Sequence, residues 1–195
     1  MIAGIVLAGG GSDRMGQPKA LLSAGERTFV EAAIATLLRG GCSEVIVVLN
    51  DASAELLDLV ARAGGVLTWG AGPGSEQIQS LVSGLRALPP EVEAAIVLPV
   101  DHPNVKPETV AALIRAFEKD GAPIIQCRHG ERHGHPVLFA ASLFEELGSG
   151  RLPEGARTVI EAHRAEVREV VVSDPGVLAD VDTPGEYREE FGEAP

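Results

Sequence analysis

The sequence predicts an α/β protein built on a parallel sheet with helices on both faces. Short apolar runs suited to buried strands alternate with stretches whose apolar residues recur at helical spacing. Glycines punctuate the alternation at Gly9, Gly40-Gly41 and Gly64-Gly65. At 195 residues, with 45% hydrophobic and 23% charged positions, the chain fits one globular domain, residues 1–195, with a substantial core. No internal repeat or long linker divides it.

Ala3 to Leu7 is an apolar run ended by glycine, the form of a buried parallel strand. Thr28 opens a helix, with Glu31 completing a capping box, and Val30, Ala33, Ile34, Leu37 and Leu38 follow at helical spacing. Glu44 to Leu49 is the second strand, Ser53 to Ala63 the next helix, and Val66 to Trp69 a third strand. Ile78, Leu81, Val82 and Leu85 mark a helical face, and Ala94 to Leu98 is another buried strand. Pro107 suits the first position of a helix carrying Val110, Leu113, Ile114 and Phe117. Ile124 to Cys127 is strand-like. The polar, glycine-containing stretch Arg128 to Gly134, followed directly by Val137 to Phe139, suggests a hairpin or an antiparallel return, with 129–135 as its turn. Ala156 to Arg164 is a short helix and Val167 to Val172 a last strand. Val181 to Tyr187 turns into a C-terminal helix, and the tail EEFGEAP is expected to fray. The loops Gly70 to Ser75 and Gly148 to Gly155 read as rims of a site.

The formal net charge of −12 opposes non-specific attraction to nucleic acid, so no nucleic-acid partner is expected. An acidic protein still binds an anionic nucleotide where backbone amides, Lys, Arg and a metal supply a local positive field. The only cysteines, Cys42 and Cys127, lie far apart without zinc spacing and read as buried thiols of a reducing compartment. The apolar opening MIAGIVLA lacks a basic start and runs into glycines, and no stretch approaches the ~18 apolar residues of a membrane span. The expectation is a cytoplasmic protein without a membrane partner.

The chemistry concentrates in Leu7 to Leu22, LAGGGSDRMGQPKALL. Gly9, Gly10 and Gly11 follow the first strand directly, where a doubly wound sheet presents bare backbone amides to phosphate. A dinucleotide fingerprint fails, because the third glycine position falls on Arg14, and GxxxxGK[ST] is absent. Arg14 and Lys19 place a planar fork and a mobile point charge on this loop, a combination that suits a triphosphate.

Asp101 ends the apolar strand of AAIVLPVDHP. There a carboxylate sits at the lip of the sheet and suits Mg²⁺, which takes one or two carboxylates plus phosphate oxygens and waters. The alternative is a turn-capping aspartate before His102-Pro103. Helical packing accounts for Leu81 and Leu85. His102, His129, His133 and His135 are not read as a metal cluster, having no carboxylate or cysteine at fixed spacing. Asp182-Thr183-Pro184 is a natural N-terminal cap for the last helix.

The opening loop resembles the signature of the MobA-like NTP transferases, L-A-[AG]-G-x-S-x-R-M-G followed by K and an apolar pair. It matches at Leu7, Ala8, Gly9, Gly10, Ser12, Arg14, Met15, Gly16, Lys19, Leu21 and Leu22. Ser80 to Leu85 is similar to the S-L-x-x-G-L segment of the molybdopterin cytidylyltransferase branch, and Gly134 to Phe139 to its G-H-P-x-x-F segment. Gly155-Ala156-Arg157 and Asp180 to Pro184 resemble its late segments. The resemblance runs from about residue 3 to residue 187. It implies a Rossmann-like three-layer α/β/α sandwich, with about seven mostly parallel strands and one antiparallel strand near the C-terminal half, as in nucleotide-diphospho-sugar transferases.

The resemblance also implies roles. Leu7, Ala8, Gly9, Gly10, Gly11, Ser12, Arg14, Lys19, Ser80 and Gly84 would line the nucleotide site. Asp101 would hold Mg²⁺, His135 would lie near the acceptor, and Asp182 would be a second metal or acceptor-pocket carboxylate. His102 replaces the usual Gln of L-x-D-Q-P and reads equally as an acceptor contact or a polar rim residue. The reaction implied is attack of a phosphorylated acceptor, molybdopterin above all, on the α-phosphorus of an NTP, with pyrophosphate leaving. Loop amides and Arg14 would hold the β and γ oxygens while Lys19 balances charge at the α-phosphate. The cues to the base conflict. Gly10 gives the LAGG form of the guanylyl branch, but more segments match the cytidylyl branch, so the expected nucleotide is CTP rather than GTP. Two rivals also stand: a nucleotidyltransferase for a sugar phosphate or small phospho-acid, and a non-catalytic nucleotide-binding accessory whose partner is a molybdoenzyme.

Overall fold

A computed structural model describes residues 1–9, 15–72, 74–149 and 152–192. The first strand, β1 (Ile2–Leu7), is wholly buried because every side chain in it is small or apolar. Residues Ser23–Ala24 (β2) and Arg27–Thr28 (β3) form a small antiparallel ribbon that periodicity alone does not reveal. Helix α1 (Phe29–Gly40) starts on the expected capping box, Thr28 accepting from the Glu31 amide and Glu31 from the Thr28 amide. It stops at Gly41, whose φ of 111° admits no ordinary side chain. Then come β4 (Val45–Leu49), α2 (Ala54–Arg62) capped by Ser53, β5 (Val66–Trp69), α3 (Gln77–Arg86) and β6 (Ala94–Pro99).

Helix α4 (Pro107–Asp120) carries its proline at the first turn, where the missing N–H is not needed. Strands β7 (Ile124–His129) and β8 (Arg132–Ala140) follow, then α5 (Phe144–Leu147), α6 (Ala156–Ala162), β9 (Val167–Val171) and α7 (Pro184–Phe191). Two expectations need correction here. The expected hairpin is present, but 129–135 is not a turn throughout: Gly130 at φ 59° reverses the chain at a tip between His129 and Arg132, and the rest is strand. Nor does the tail fray at Glu189: α7 runs on to Phe191, whose ring packs 5.7 Å from Phe29 and 4.9 Å from Tyr187.

The main sheet has seven strands in the order β5-β4-β1-β6-β8-β7-β9. All neighbours pair in parallel except those of β8, which runs antiparallel to both β6 and β7. One face of the sheet is covered by α1, α2 and α4 through Phe29, Ile34, Leu56 and Leu113. The other is covered by α3, α5 and α6 through Leu81, Leu147 and Val159. This is the three-layer architecture of the sequence reading, with its seven strands and single antiparallel member. The chain leaves β1 toward β4 on one side and later returns to β6 on the other. The carboxyl ends of β1 and β6 therefore flank a topological switch point, where open α/β sheets form their binding crevice.

Candidate functional site

Three adjacent parallel strands present chemistry at one lip. Gly9 lies just past β1, Asn50 just past β4, and Asp101 just past β6. Residues Gly10, Gly11, Ser12 and Arg14 lie outside the described residues, so their predicted phosphate contacts stay proposals. Beyond them the chain re-enters at buried Met15 and turns at Lys19–Leu21.

Lys19 crosses the crevice. Its Nζ stands 3.2 Å from Asp101 Oδ2 and makes a short charge-assisted hydrogen bond to Asp182 Oδ1. The backbone sets this geometry. The Val181 amide donates to the Asp101 carbonyl at 2.9 Å, which lays residue 182 beside residue 101. The Tyr187 hydroxyl donates to the Ser23 carbonyl at 2.8 Å, pinning α7 to the ribbon that follows Lys19. The sequence offered capping as an alternative use for Asp182, and the structure gives that work to Thr183. Its hydroxyl accepts from the Glu186 amide, and its own amide donates to Glu186. Glu186 also accepts from the Asp182 amide, and these hydrogen bonds hold its carboxyl below the usual range.

Asp101 Oδ1 is buried without a hydrogen-bond partner, 3.9 Å from His102 Nε2. An orphaned carboxylate oxygen beside a second carboxylate is a hard-oxygen donor set, and it fits a divalent cation. Asp101 and Asp182 are the residues that would hold one.

Asn50 was not singled out from the sequence. Its Nδ2 donates to the Gly9 carbonyl at 2.6 Å and to Ser75 Oγ at 2.9 Å, tying Gly9 to the loop after β5. A side chain on Gly9 or Gly70 would meet the Asn50 amide at 2.6 or 2.0 Å, so both glycines are needed for its seat. Asn50 Oδ1 is buried with no partner among the described residues, an acceptor at the Gly9 end of the lip. The available signal was positional: a polar residue ending an apolar strand next to the glycine loop.

Beyond the lip, on the α3 and α6 side of the sheet, lies a cavity of about 930 Å³. Leu7 and Pro99, the last residues of β1 and β6, line its inner end and connect it to the crevice. Its floor is apolar, with Leu81, Val97, Val137, Phe139 and Ile160. The loop before α6, read as a rim, contributes Pro153, Glu154 and Gly155, whereas no described residue of 70–75 lines the cavity and Glu76, at the start of α3, does. Arg157 pairs with Glu154 at 3.7 Å and Arg164 with Glu161 at 2.9 Å, while Glu169 takes His133 at 2.6 Å and Arg128 at 3.2 Å. Each arginine described on the rim thus has a carboxylate partner already.

His135 lines the cavity with Nδ1 buried and unpartnered, and its ring lies 5.0 Å from that of His102. Burial, with His102 beside it, lowers its pKa to about 4. His102 is held from behind, its Nδ1 3.5 Å from the Gly176 carbonyl, and does not itself reach the cavity wall. Asp174 fixes that backing loop by accepting from Lys106 N, Thr109 Oγ1 and Gly176 N. His129 turns elsewhere, toward the Val172 carbonyl at 3.0 Å.

Ser80 and Gly84 sit in the seam between α3 and the sheet and do not line the cavity. A side chain at Gly84 would meet Ile5 Cγ2 at 2.7 Å and Val48 Cγ2 at 3.1 Å, so packing alone demands glycine. Gly134 is likewise required by the Val177 carbonyl, 2.1 Å from where its Cβ would stand. Cys42 and Cys127 are buried free thiols, as expected, and burial pushes both pKa values up to about 12. No helix among the described residues is long and apolar enough to cross a membrane.

Residues 4–167 match the model of the MobA-like NTP transferase domain. A probable molybdenum cofactor guanylyltransferase of Bacillus mycoides is 28% identical over 138 residues, and one of Chloroflexus aggregans 42% over 116. Those matches cover 71% and 58% of this chain but only 66% and 52% of the relatives, so the chain spans between half and two thirds of their length. Nicotine blue oxidoreductase of Paenarthrobacter nicotinovorans is 31% identical over 93% of this chain and 92% of its own. Among solved structures, Rv0371c of Mycobacterium tuberculosis superposes with a TM-score of 0.84 at 28% identity, covering 98% of both chains. The same protein in complex with manganese gives 0.82 at 26% identity and 99% coverage of both. At 18% identity the fold alone recurs in CMP:2-keto-3-deoxy-manno-octonic acid synthetase, with a TM-score of 0.73 and coverage of 96% and 95%.

Proposed function

The chain belongs to the MobA-like NTP transferase family, and we propose that it transfers a nucleoside monophosphate from an NTP to a phosphorylated acceptor. An acceptor phosphate oxygen bonds to the α-phosphorus, the bond to the β-phosphate oxygen breaks, and pyrophosphate leaves. The observation that carries this reading is the Lys19–Asp101–Asp182 constellation at the switch-point crevice, between the glycine loop and the cavity. No protein nucleophile is required. Lys19, Arg14 and the loop amides position and neutralise the triphosphate. Asp101 and Asp182 are the proposed ligands of a divalent cation, Mg²⁺ in the first assay, which would neutralise charge on the phosphate oxygens. That the similar Rv0371c has been solved in complex with manganese supports a divalent ion in this reading.

The cavity argues for the class of acceptor. Its apolar floor and paired rim charges suit a flat, largely uncharged ring system, as in molybdopterin, with its phosphate directed toward Lys19. A compact, densely anionic sugar phosphate would find each described rim arginine already matched by a carboxylate. Gln126 and His135 are the proposed polar readers on that floor.

GTP is the first nucleotide to test. The relatives that carry a molybdenum-cofactor name are guanylyltransferases. The segments that favoured CTP contain Gly84 and Gly134, whose identities packing explains without reference to a base. Incubation with Mg²⁺, molybdopterin and either GTP or CTP, with pyrophosphate and the dinucleotide product measured, tests the proposal. No product with either nucleotide would sink it, and product with CTP alone would reverse the base. One observation favours a second reading, reductive chemistry on a cavity-bound acceptor: the match to nicotine blue oxidoreductase spans 93% of the chain. Oxidation of a reduced nicotinamide nucleotide without pyrophosphate release would identify it.

A further inference from the structure

We infer that Lys19 and the divalent cation compete for the same two carboxylates, so that metal enters with the nucleotide rather than ahead of it. The inference rests on the proposed reading of Asp101 and Asp182 as metal ligands. Lys19 Nζ bonds to one oxygen of each: Asp101 Oδ2 at 3.2 Å and, more closely, Asp182 Oδ1. A cation held between the two carboxylates would share them with that ammonium, even if it took the orphaned Asp101 Oδ1. All three side chains are mostly withdrawn from water, at 13%, 24% and 32% exposure, so the charges interact through a weakened dielectric.

Counting these three groups alone, the formal charge is one negative. A divalent ion entering beside the ammonium gains the carboxylates but meets a like charge at contact range. Once the ammonium has moved away, the same ion meets the two carboxylates without that like charge between them. The flexible lysine stem allows such a move, and the phosphates of an NTP give the ammonium somewhere to go. Nucleotide and metal thereby favour each other's binding, and the coupling is reciprocal by necessity.

This leads to an unusual expectation for one substitution. Lys19→Met, which removes a charge needed for turnover, strengthens metal binding to the nucleotide-free protein. The experiment is Mn²⁺ titration of the nucleotide-free full chain, followed by the electron spin resonance of free Mn²⁺. Lys19→Met is expected to bind at least about tenfold more tightly than wild type, or about 1.4 kcal/mol. Lys19→Arg keeps the charge and should stay near wild type. The double variant Lys19→Met with Asp101→Asn should lose the gain, which separates this site from weak binding elsewhere on an acidic surface.

Equal or weaker Mn²⁺ binding by folded Lys19→Met overturns the inference. Should that variant fail to fold by circular dichroism, wild type supplies a second measurement. Saturating Mn²⁺ should raise modification of Lys19 by an amine-reactive reagent, read by mass spectrometry, and unchanged labelling overturns the inference. The two readings fail separately. A chain that passes these tests but releases no pyrophosphate refutes the transferase proposal alone, whereas pyrophosphate release without the Lys19 effect refutes the competition alone.

Discussion

Lys19 Nζ stands 3.2 Å from Asp101 Oδ2, joining residues 82 positions apart across the crevice between β1 and β6. The strand order makes this contact. Were β6 not beside β1, the loop after one strand and the lip of the other would not meet. The pair shows that the site is a property of the topology as much as of any motif, and the following predictions probe its parts separately.

Asp182 and Thr183 are neighbours with different work. Asp182→Asn should lower turnover at least about a hundredfold by weakening charge stabilisation, with the melting temperature near wild type. Thr183→Ala should cost about 1 kcal/mol of stability through the lost cap and leave turnover within a few-fold. Steady-state kinetics and thermal melts on both variants check this, and the reverse pattern would return Asp182 to a structural role.

His135 makes stability depend on pH in one direction. Its pKa falls to about 4 in the folded chain, below the value near 6.5 of an exposed histidine. The unfolded chain therefore binds more protons between those values, and stability falls as pH drops through that window, by up to about 1.4 kcal/mol per pH unit. Above the window the term is fully present and flat; below it the term is lost. Denaturant melts from pH 4 to 7 should show a shallower slope for His135→Asn than for wild type.

Gly84→Ala distinguishes packing from nucleotide contact. The new methyl must displace Ile5 Cγ2 at 2.7 Å, and overpacking of this kind typically costs about 1–3 kcal/mol. The KM for NTP should stay within twofold. A raised KM at unchanged stability would restore Gly84 to the nucleotide site.

Asn50→Ala removes two hydrogen bonds that hold Gly9 and Ser75 together. Loss of a buried amide with two partners is worth about 1–3 kcal/mol, so the KM for NTP should rise about tenfold or more. Gln126→Leu should instead raise the acceptor KM about tenfold and leave the NTP KM unchanged. Opposite assignments in a two-substrate kinetic matrix would exchange the ends of the site.

The residues explain how much of this was legible beforehand. Elements with strong local causes were read correctly: the apolar run of β6, the Thr28–Glu31 box and Pro107 at the start of α4. The place of Asp101 at the lip was legible because it directly follows the apolar run of β6. Asn50 was not, since its partners Gly9 and Ser75 are 41 and 25 residues away and only tertiary pairing brings them together. The hairpin tip at Gly130 was hidden because strand pairing held polar residues that their own propensity assigns to a turn. Gly84 shows a related ambiguity, since packing against Ile5 and Val48 also calls for glycine there. A glycine that admits a ligand and one that admits a neighbouring strand look alike in sequence.

The hydrogen bond from Tyr187 to the Ser23 carbonyl has a consequence for biogenesis. A chain emerging from the ribosome delivers all seven strands of the main sheet before it delivers Asp182. The nascent sheet can therefore condense with Lys19 and Asp101 in place while the second carboxylate is still unmade. Only once Val181 pairs with the Asp101 carbonyl does the acidic pair exist. Competence would then arrive as a discrete late event, and a half-built molecule would hold few oxygens with which to sequester metal.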